Sequence, residues 1–204
     1  RHGEQCDEWV LYHGTLNQGF VRNGKEIKSR HIYFGYGPQQ PWLGEDLHGI
    51  LYNFVPTGIH TGFAFHINGD FFPDANRTTI LADDSEKAGW NRRVIAGLSQ
   101  LFAANLERLR DESPSPEAFY RLLPIDYNTD YPFLQPIVDA FCRQAQRTRL
   151  IKTTDGAWTL PSDARWTDDE ELYALAQDYL PGIVPPSLPT RMRRFLPRLG
   201  GRSR

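Results

Sequence analysis

The stretch from Phe54 to Phe72 reads FVPTGIHTGFAFHINGDFF, and strand and turn signals are densest there. Bulky apolar residues alternate with smaller or polar ones from Phe63 to Ile67, which is the pattern of a strand with one buried face. Thr61-Gly62 is expected to interrupt the chain before this strand, and Asn68-Gly69 to form a turn at its end. The alternation places His66 on the face opposite to its apolar neighbours.

The segments that precede this stretch are also strand-like. They are rich in aromatic and β-branched residues, and Gly, Asn and Pro separate them: residues 8–14, 31–36 and 49–55. Asn23-Gly24 is a strong signal for a tight turn that closes a hairpin. The sequence therefore predicts that roughly the first eighty residues are mostly β.

Downstream, the apolar residues change to helical spacing. They recur at intervals of three or four positions, which predicts one long apolar helix face: Trp90, Val94, Leu98, Leu101, Phe102, Leu106 and Leu109. Further helices are predicted from Pro116, over residues 133–149 and over residues 168–179, with a strand-turn-strand around Asp155-Gly156. This order predicts an α+β fold, with a mixed β-sheet packed against helices, a β-rich N-terminal part and an α-rich C-terminal part.

Composition limits the classes of protein that this chain can belong to. With 204 residues, of which 40% are hydrophobic, it can bury a core, and its net charge of -2 does not favour nucleic acid as a partner of the whole chain. No apolar run of about eighteen residues and no signal-peptide pattern occurs, so we expect a cytoplasmic protein without a membrane partner. Cys6 and Cys142 are too few for a disulfide framework or a zinc site.

Three parts of the chain are distinguished by composition. Residues 1–150 are predicted to form the main α/β domain, residues 151–180 a small strand-turn-helix appendage, and residues 181–204 a Pro-rich arm with a basic tail. The chain begins with Arg1 rather than Met. We therefore expect it to be a fragment of a longer protein.

Several segments together resemble one protein family. The FVPTG and FHINGDFF segments, Asn76-Arg77 and Trp90-Asn91-Arg92 stand in the same order as similar segments of sacsin and related ATPases of the GHKL (histidine kinase-like) superfamily. Val55 stands where that family has Leu, which is a mild departure. The resemblance covers about half of the chain and is densest over residues 45–100.

This resemblance implies a role beside an ATPase rather than an enzyme in its own right. In that family the matching region follows the ATP-binding domain, so the chain would be a GHKL-type middle, or transducer, domain without a cofactor of its own. ATP and Mg²⁺ would bind to the upstream domain of the parent protein, and their turnover would drive a chaperone-like or defence-type activity on a protein client. The chain has no Gly-Lys-Ser/Thr phosphate loop.

Arg77 is the catalytic candidate that the resemblance implies. It would contact the γ-phosphate of ATP in the upstream domain, as an arginine finger does. The alternative, which is the commoner role for such a residue, is an arginine that ties its own loop to a nearby carboxylate or carbonyl. The residues alone favour this structural role.

Other polar residues of the motif have structural and interface interpretations. His66 is interpreted first as a hydrogen-bonded structural histidine, and a metal site with His60 lacks a third ligand. Asn68, Asn76 and Asp70 are expected to fix turns, and Trp90 to enter the core. The candidate interface residues are His66, Asn68, Asn76, Asn91, Arg92, Arg193 and Arg194, with Asn91 and Arg92 expected to be exposed near the start of the long helix.

A second function remains open from the sequence. The chain is then a passive interaction module, which holds a protein or nucleic acid with its sheet face or with the basic C-terminal tail. Six arginines crowd the last fourteen residues, and apolar residues are interleaved with them. Such a tail suits phosphate groups or an amphipathic docking helix equally well.

Overall fold

The computed structural model describes residues 9–37, 49–76, 78–125 and 131–200, together with the backbone of residues 202–203. The chain forms two compact units. The first contains residues 1–102 and 127–138, and the second contains residues 103–126 and 139–204. These boundaries differ from the predicted ones at residues 150 and 180.

The first unit is built on a mixed five-stranded sheet. Its strands and the neighbouring hairpin are β1 (Val10–Thr15), β2 (Phe20–Arg22), β3 (Lys25–Lys28), β4 (His31–Tyr36), β5 (Ile50–Asn53), β6 (Val55–His60) and β7 (His66–Gly69). The order across the sheet is β1-β4-β7-β5-β6. Strands β5 and β7 pair in parallel, and the other neighbours are antiparallel. The predicted mixed sheet is therefore confirmed.

Two of the predicted turns have different outcomes. Strands β2 and β3 form the predicted hairpin, and Asn23 and Gly24 have φ angles of 52° and 73°, as a tight hairpin turn requires. The predicted turn at Asn68-Gly69 is wrong, because β7 runs through both residues. Gly69 instead gives close packing, since a Cβ there would lie 2.6 Å from Val94 Cγ1.

Helix α1 (Glu86–Ala104) covers one face of this sheet. Trp90, Val94 and Leu98 are fully buried, as the helical spacing predicted. Phe102 packs against the rings of Phe34 and Phe65, with centroid distances of 5.2 and 4.6 Å. On the opposite face of the sheet, Leu11 is 61% exposed.

The second unit is mainly helical. It contains the last residues of α1 and of α4 (Gln135–Ala145), with α2 (Leu106–Glu112), α3 (Pro116–Leu122), α5 (Glu170–Ala176) and α6 (Thr190–Phe195). Its short strands are β8 (Ile151–Lys152), β9 (Trp158–Thr159), β10 (Arg165–Trp166) and β11 (Arg202–Ser203), and 3-10 turns lie at Pro132–Leu134 in the first unit and Leu196–Leu199 in the second. The β-rich part followed by a helical part confirms the α+β prediction.

Residues 181–200 pack into the second unit rather than extending from it. Val184, Leu188, Met192, Phe195 and Leu196 are buried there. Phe195 stacks on Phe141 with 5.8 Å between ring centroids. The predicted Pro-rich arm is therefore a packed, turn-rich strap between residues 181 and 200 and not an extended linker. No helix in the described part of the chain is long and apolar enough to cross a membrane.

Candidate functional site

The motif that carries the resemblance is a bonded structural unit around Asp70. The carboxylate of Asp70 accepts hydrogen bonds from Lys28 Nζ at 2.6 Å and from the backbone N–H of Ser29 at 2.7 Å. Its backbone carbonyl accepts a bond from the indole N–H of Trp90 at 2.7 Å. Asp70 therefore joins the β2–β3 hairpin, the end of β7 and helix α1, a wider role than the predicted local turn.

Asn91 completes this unit from helix α1. Its Oδ1 accepts the N–H of Phe72 and its Nδ2 donates to the carbonyls of Phe72 and Leu81, at 2.8, 2.8 and 2.9 Å. The prediction that Asn91 is exposed is wrong, because its side chain is consumed in holding residues 72–81 to the helix. Arg92 is exposed as predicted, and its Nη1 donates to the carbonyl of Asp83 at 2.8 Å.

Arg77 itself lies outside the described residues, and its role stays a prediction. Asp74 closes the loop on both sides of it: Oδ1 accepts the N–H groups of Thr78 and Thr79 at 2.9 and 3.3 Å. The N–H of Asp74 in turn donates to Thr79 O at 2.9 Å. Asn76 is exposed in this loop. The turn-fixing side chain is thus Asp74 and not, as predicted, Asn76.

The face of the sheet opposite to α1 carries a hollow of about 390 Å³. We call this hollow the sheet-face pocket; it is lined by Trp9, Leu11, Tyr33, Phe34, Gly35, Tyr52, His66, Ile67 and Asn68. The strand register brings these residues together, because Leu11 pairs with Gly35 and Gly35 pairs with His66. Tyr33 and Tyr52 both pair with Asn68, one from each side.

His66 lies between two aromatic side chains in this pocket. Its ring centroid is 5.1 Å from that of Trp9 and 5.5 Å from that of Tyr52. Its Nδ1 accepts a hydrogen bond from the backbone N–H of Ile50 at 2.9 Å. Because Nδ1 is the acceptor in this bond, it carries no proton. Burial lowers the pKa of His66, so the imidazole is neutral at physiological pH. The hydrogen bond from Ile50 agrees with the predicted structural role of His66. The residue also lines the sheet-face pocket.

Asn68 also combines a structural hydrogen bond with a place in the lining of the sheet-face pocket. Its Oδ1 accepts the N–H of Phe54 at 3.3 Å, where Phe54 takes a φ of 62° at the β5–β6 connection. The side-chain amide also faces the sheet-face pocket. The predicted side-chain to backbone bond of Asn68 is therefore present, but it stabilises the neighbouring hairpin rather than a turn of its own.

The predicted C-terminal interface residues differ in their surroundings. Arg193 donates to the carbonyls of Leu188 and Pro186 at 3.1 and 3.2 Å, and its Nη1 lies 2.6 Å from Asp168. Arg194 is exposed. Among the arginines near the chain end, Arg193 thus organises the strap of the second unit, whereas Arg194 is directed to solvent.

Sequence reasoning missed most of the sheet-face pocket. Trp9, Tyr33, Gly35 and Tyr52 fall within the predicted strands, but the pocket arises only when those strands are placed side by side. The available signal was the set of aromatic residues at outward positions of the strand alternation. The pocket combines apolar walls with a few polar groups, which is the usual composition of a binding site.

No group of three His, Cys, Asp or Glu side chains among the described residues is arranged to hold a metal ion. Comparisons with protein families, with curated proteins and with solved structures find no match to this chain.

Proposed function

We propose that this chain is the transducer domain of a sacsin-like GHKL ATPase, with ATP and Mg²⁺ held by an upstream domain of the same protein. The observation that supports the proposal is the bonded unit around Asp70 and Asn91. Its hydrogen bonds join motif segments that lie about twenty positions apart in the sequence. The residues that carry the resemblance are therefore bonded to one another in the fold. The proposal includes a cytoplasmic location and a chaperone-like or defence-type activity of the parent protein.

In this role the chain performs no complete reaction alone. Its task is to present the loop of residues 74–79 to the neighbouring domain, and Asp74 and Asn91 give that loop its fixed attachment. An arginine in such a loop stabilises the negative charge that develops on the transferred phosphoryl group. Arg77 is the residue that we propose for this contact.

The test is ATP hydrolysis by the full-length parent protein with Arg77→Ala. We expect turnover to fall by about a hundredfold or more while ATP binding is retained, because the contact acts in the transition state. Arg92→Ala is the matched control, since it removes an exposed arginine of the same unit, whose Nη1 donates to the Asp83 carbonyl. Unchanged turnover in a folded Arg77→Ala protein overturns the phosphate contact.

A passive interaction module is the second candidate, and the sheet-face pocket favours it. Trp9 and Leu11, two large apolar side chains, are 40% and 61% exposed beside the pocket. The tail version of this candidate cannot be tested by truncating residues 191–204, because Met192 and Phe195 belong to the core of the second unit. Arg194→Ala with Arg198→Ala is the suitable test: nucleic-acid binding through the tail should weaken and lose salt dependence.

A further inference from the structure

We propose that the exposed surface of helix α5 binds a basic amphipathic helix of a partner protein. This inference goes beyond the transducer role, because it rests on the second unit and on no part of the Arg77 loop. Two observations carry it. The first is a row of large apolar side chains on the surface of α5, and the second is a set of carboxylates along the same helix, with an acidic hollow at its end.

Three large apolar side chains form a row along α5 and the turn that follows it. Leu172, Leu175 and Tyr179 are 43%, 72% and 83% exposed. Their spacing of three and four positions places them on one side of a helical path. Within α5 itself, Ala176 is the buried residue, so the helix presents most of its surface to solvent. Single exposed leucines are common on protein surfaces, whereas a contiguous apolar row favours a contact with another protein.

The charges of α5 and its flanks are all negative. Residues 168–179 contain five acidic residues and no lysine, arginine or histidine. Glu171 lies four positions before Leu175 and Asp178 lies three positions after it, so both border the apolar row. Three exposed carboxylates of this segment make no ion pair with another residue that the structure describes: those of Glu170, Glu171 and Asp178.

An acidic hollow of about 310 Å³ lies at the C-terminal end of α5. Asp155, Asp178 and Tyr179 are among the residues that line it. Hydrogen bonds from the Thr153 hydroxyl and from the backbone N–H of Ala157 lower the pKa of Asp155, so its carboxylate is charged at neutral pH. The C-terminal end of a helix also carries partial negative charge. The hollow therefore suits the guanidinium or ammonium group of a partner side chain, and the Tyr179 ring offers it a cation–π contact.

These features together fit one class of partner. The carboxylates repel an acidic protein surface, an anionic membrane and nucleic acid, and they attract a segment rich in lysine or arginine. The apolar row needs apolar side chains opposite to it, and a basic amphipathic helix supplies both groups from one element. The basic helix α6 of a second copy does not fit, because its apolar residues Met192 and Phe195 are buried.

The experiment is a calorimetric titration of the full chain with an acetylated, amidated leucine–lysine peptide whose leucines form one helix face. Binding should be saturable and should weaken as salt is raised, because salt screens the carboxylates. Leu175→Ala and Tyr179→Ala should each weaken binding by about fivefold or more, since each shortens the apolar row. Asp178→Asn should weaken binding and reduce its salt dependence. All three side chains are exposed, so these variants should unfold at the same urea concentration as the wild type.

Val21→Ala and Glu107→Gln are the matched controls, because they remove an exposed apolar group from the first unit and an exposed carboxylate from α2. Both should leave the affinity unchanged. The control peptides are a counterpart in which glutamate replaces every lysine, and a scrambled peptide of the same composition without an apolar face.

The proposal is overturned if the leucine–lysine peptide fails to bind to the folded protein, or if either control peptide binds equally well. It is also overturned if Glu107→Gln weakens binding as much as Asp178→Asn does, since the attraction is then not specific to α5. Sedimentation tests a second copy as the occupant. A dimer of the chain that Leu175→Ala dissociates, and with which the peptide does not compete, would likewise overturn the proposal.

Discussion

The Asn91 side chain holds both backbone polar groups of Phe72, accepting its N–H and donating to its carbonyl at 2.8 Å each. A strand neighbour would make the same pair of bonds, so an amide on a helix here replaces a missing strand. The same Nδ2 also donates to the carbonyl of Leu81. Residues 72–81 are thereby fixed to α1 at both ends of the Asp74 loop.

Asn91→Ala should destabilise the first unit by about 2–4 kcal/mol, because several buried backbone groups lose their partners. Asn91→Asp should also destabilise it, since a carboxylate cannot donate to the two carbonyls. Urea unfolding followed by circular dichroism measures both changes. Arg92→Ala, on the exposed neighbour, should change the free energy of unfolding by no more than about 0.5 kcal/mol. Equal changes in the free energy of unfolding for the Asn91 and Arg92 substitutions would contradict the role of Asn91 in holding residues 72–81 to α1.

Asp70→Ala should lower stability by about 3 kcal/mol, because it leaves the mostly buried ammonium of Lys28 and the Ser29 N–H without their carboxylate. Lys28→Met should cost less, since it removes the charge together with the need for a partner. A double-mutant cycle by urea unfolding should give a coupling above about 1 kcal/mol. The exposed Arg108–Glu112 pair is the control and should couple by about 0.5 kcal/mol or less.

Local signals in the sequence predicted the elements whose cause is local. Asn23-Gly24 specifies its hairpin because both residues tolerate positive φ, and Ser115-Pro116 starts α3 with a side-chain cap that accepts the N–H of Ala118. Periodicity alone predicted the apolar face of α1, but it extended that face over Leu106 and Leu109, which belong to the separate helix α2. These features need no knowledge of the rest of the chain.

The failures have a non-local cause. Asn68-Gly69 has the composition of a turn, but β4 and β5 pair with it on both sides and Val94 fills the space over Gly69. Asn91 near a helix start was expected in solvent, but the loop of residues 72–81 covers it. The sheet-face pocket depends on strand order, which the spacing of apolar residues does not encode.

Gly49→Ala should destabilise the first unit strongly, by about 3 kcal/mol or more, because the new Cβ would collide with the backbone oxygen of Phe65. The backbone cannot move away easily, since the Gly49 N–H and carbonyl bond to Phe63 and Thr61 at 2.8 and 2.7 Å. Thermal unfolding measures the loss. Gly58→Ala is the control, because its Cβ would meet only Thr78 O at 3.5 Å. A Gly49→Ala protein as stable as the control would show that this region of the sheet adapts.

Stability should fall as the pH is lowered from about 7.5 to about 5, and His66 should contribute to the fall. Burial lowers the pKa of His66 in the folded chain, so below the ordinary value of about 6.5 the unfolded chain binds more protons than the folded one. His66→Gln should flatten this part of the pH profile, measured by urea unfolding. His60→Gln, at an exposed position of β6, should leave the slope unchanged. An unchanged slope in His66→Gln would remove His66 as the cause.

Arg191→Ala should weaken the second unit by about 1–3 kcal/mol, because Nη2 donates to the carbonyls of Tyr120, Leu123 and Arg121 at 2.6, 3.1 and 3.2 Å. These carbonyls belong to the C-terminal end of α3, where a cation is favoured. Hydrogen exchange of the α3 amides should therefore accelerate in this variant. Arg194→Ala removes the same charge from an exposed position and should leave exchange unchanged. If both substitutions weaken nucleic-acid binding equally and neither alters exchange, Arg191 acts through its charge and not as a structural clamp.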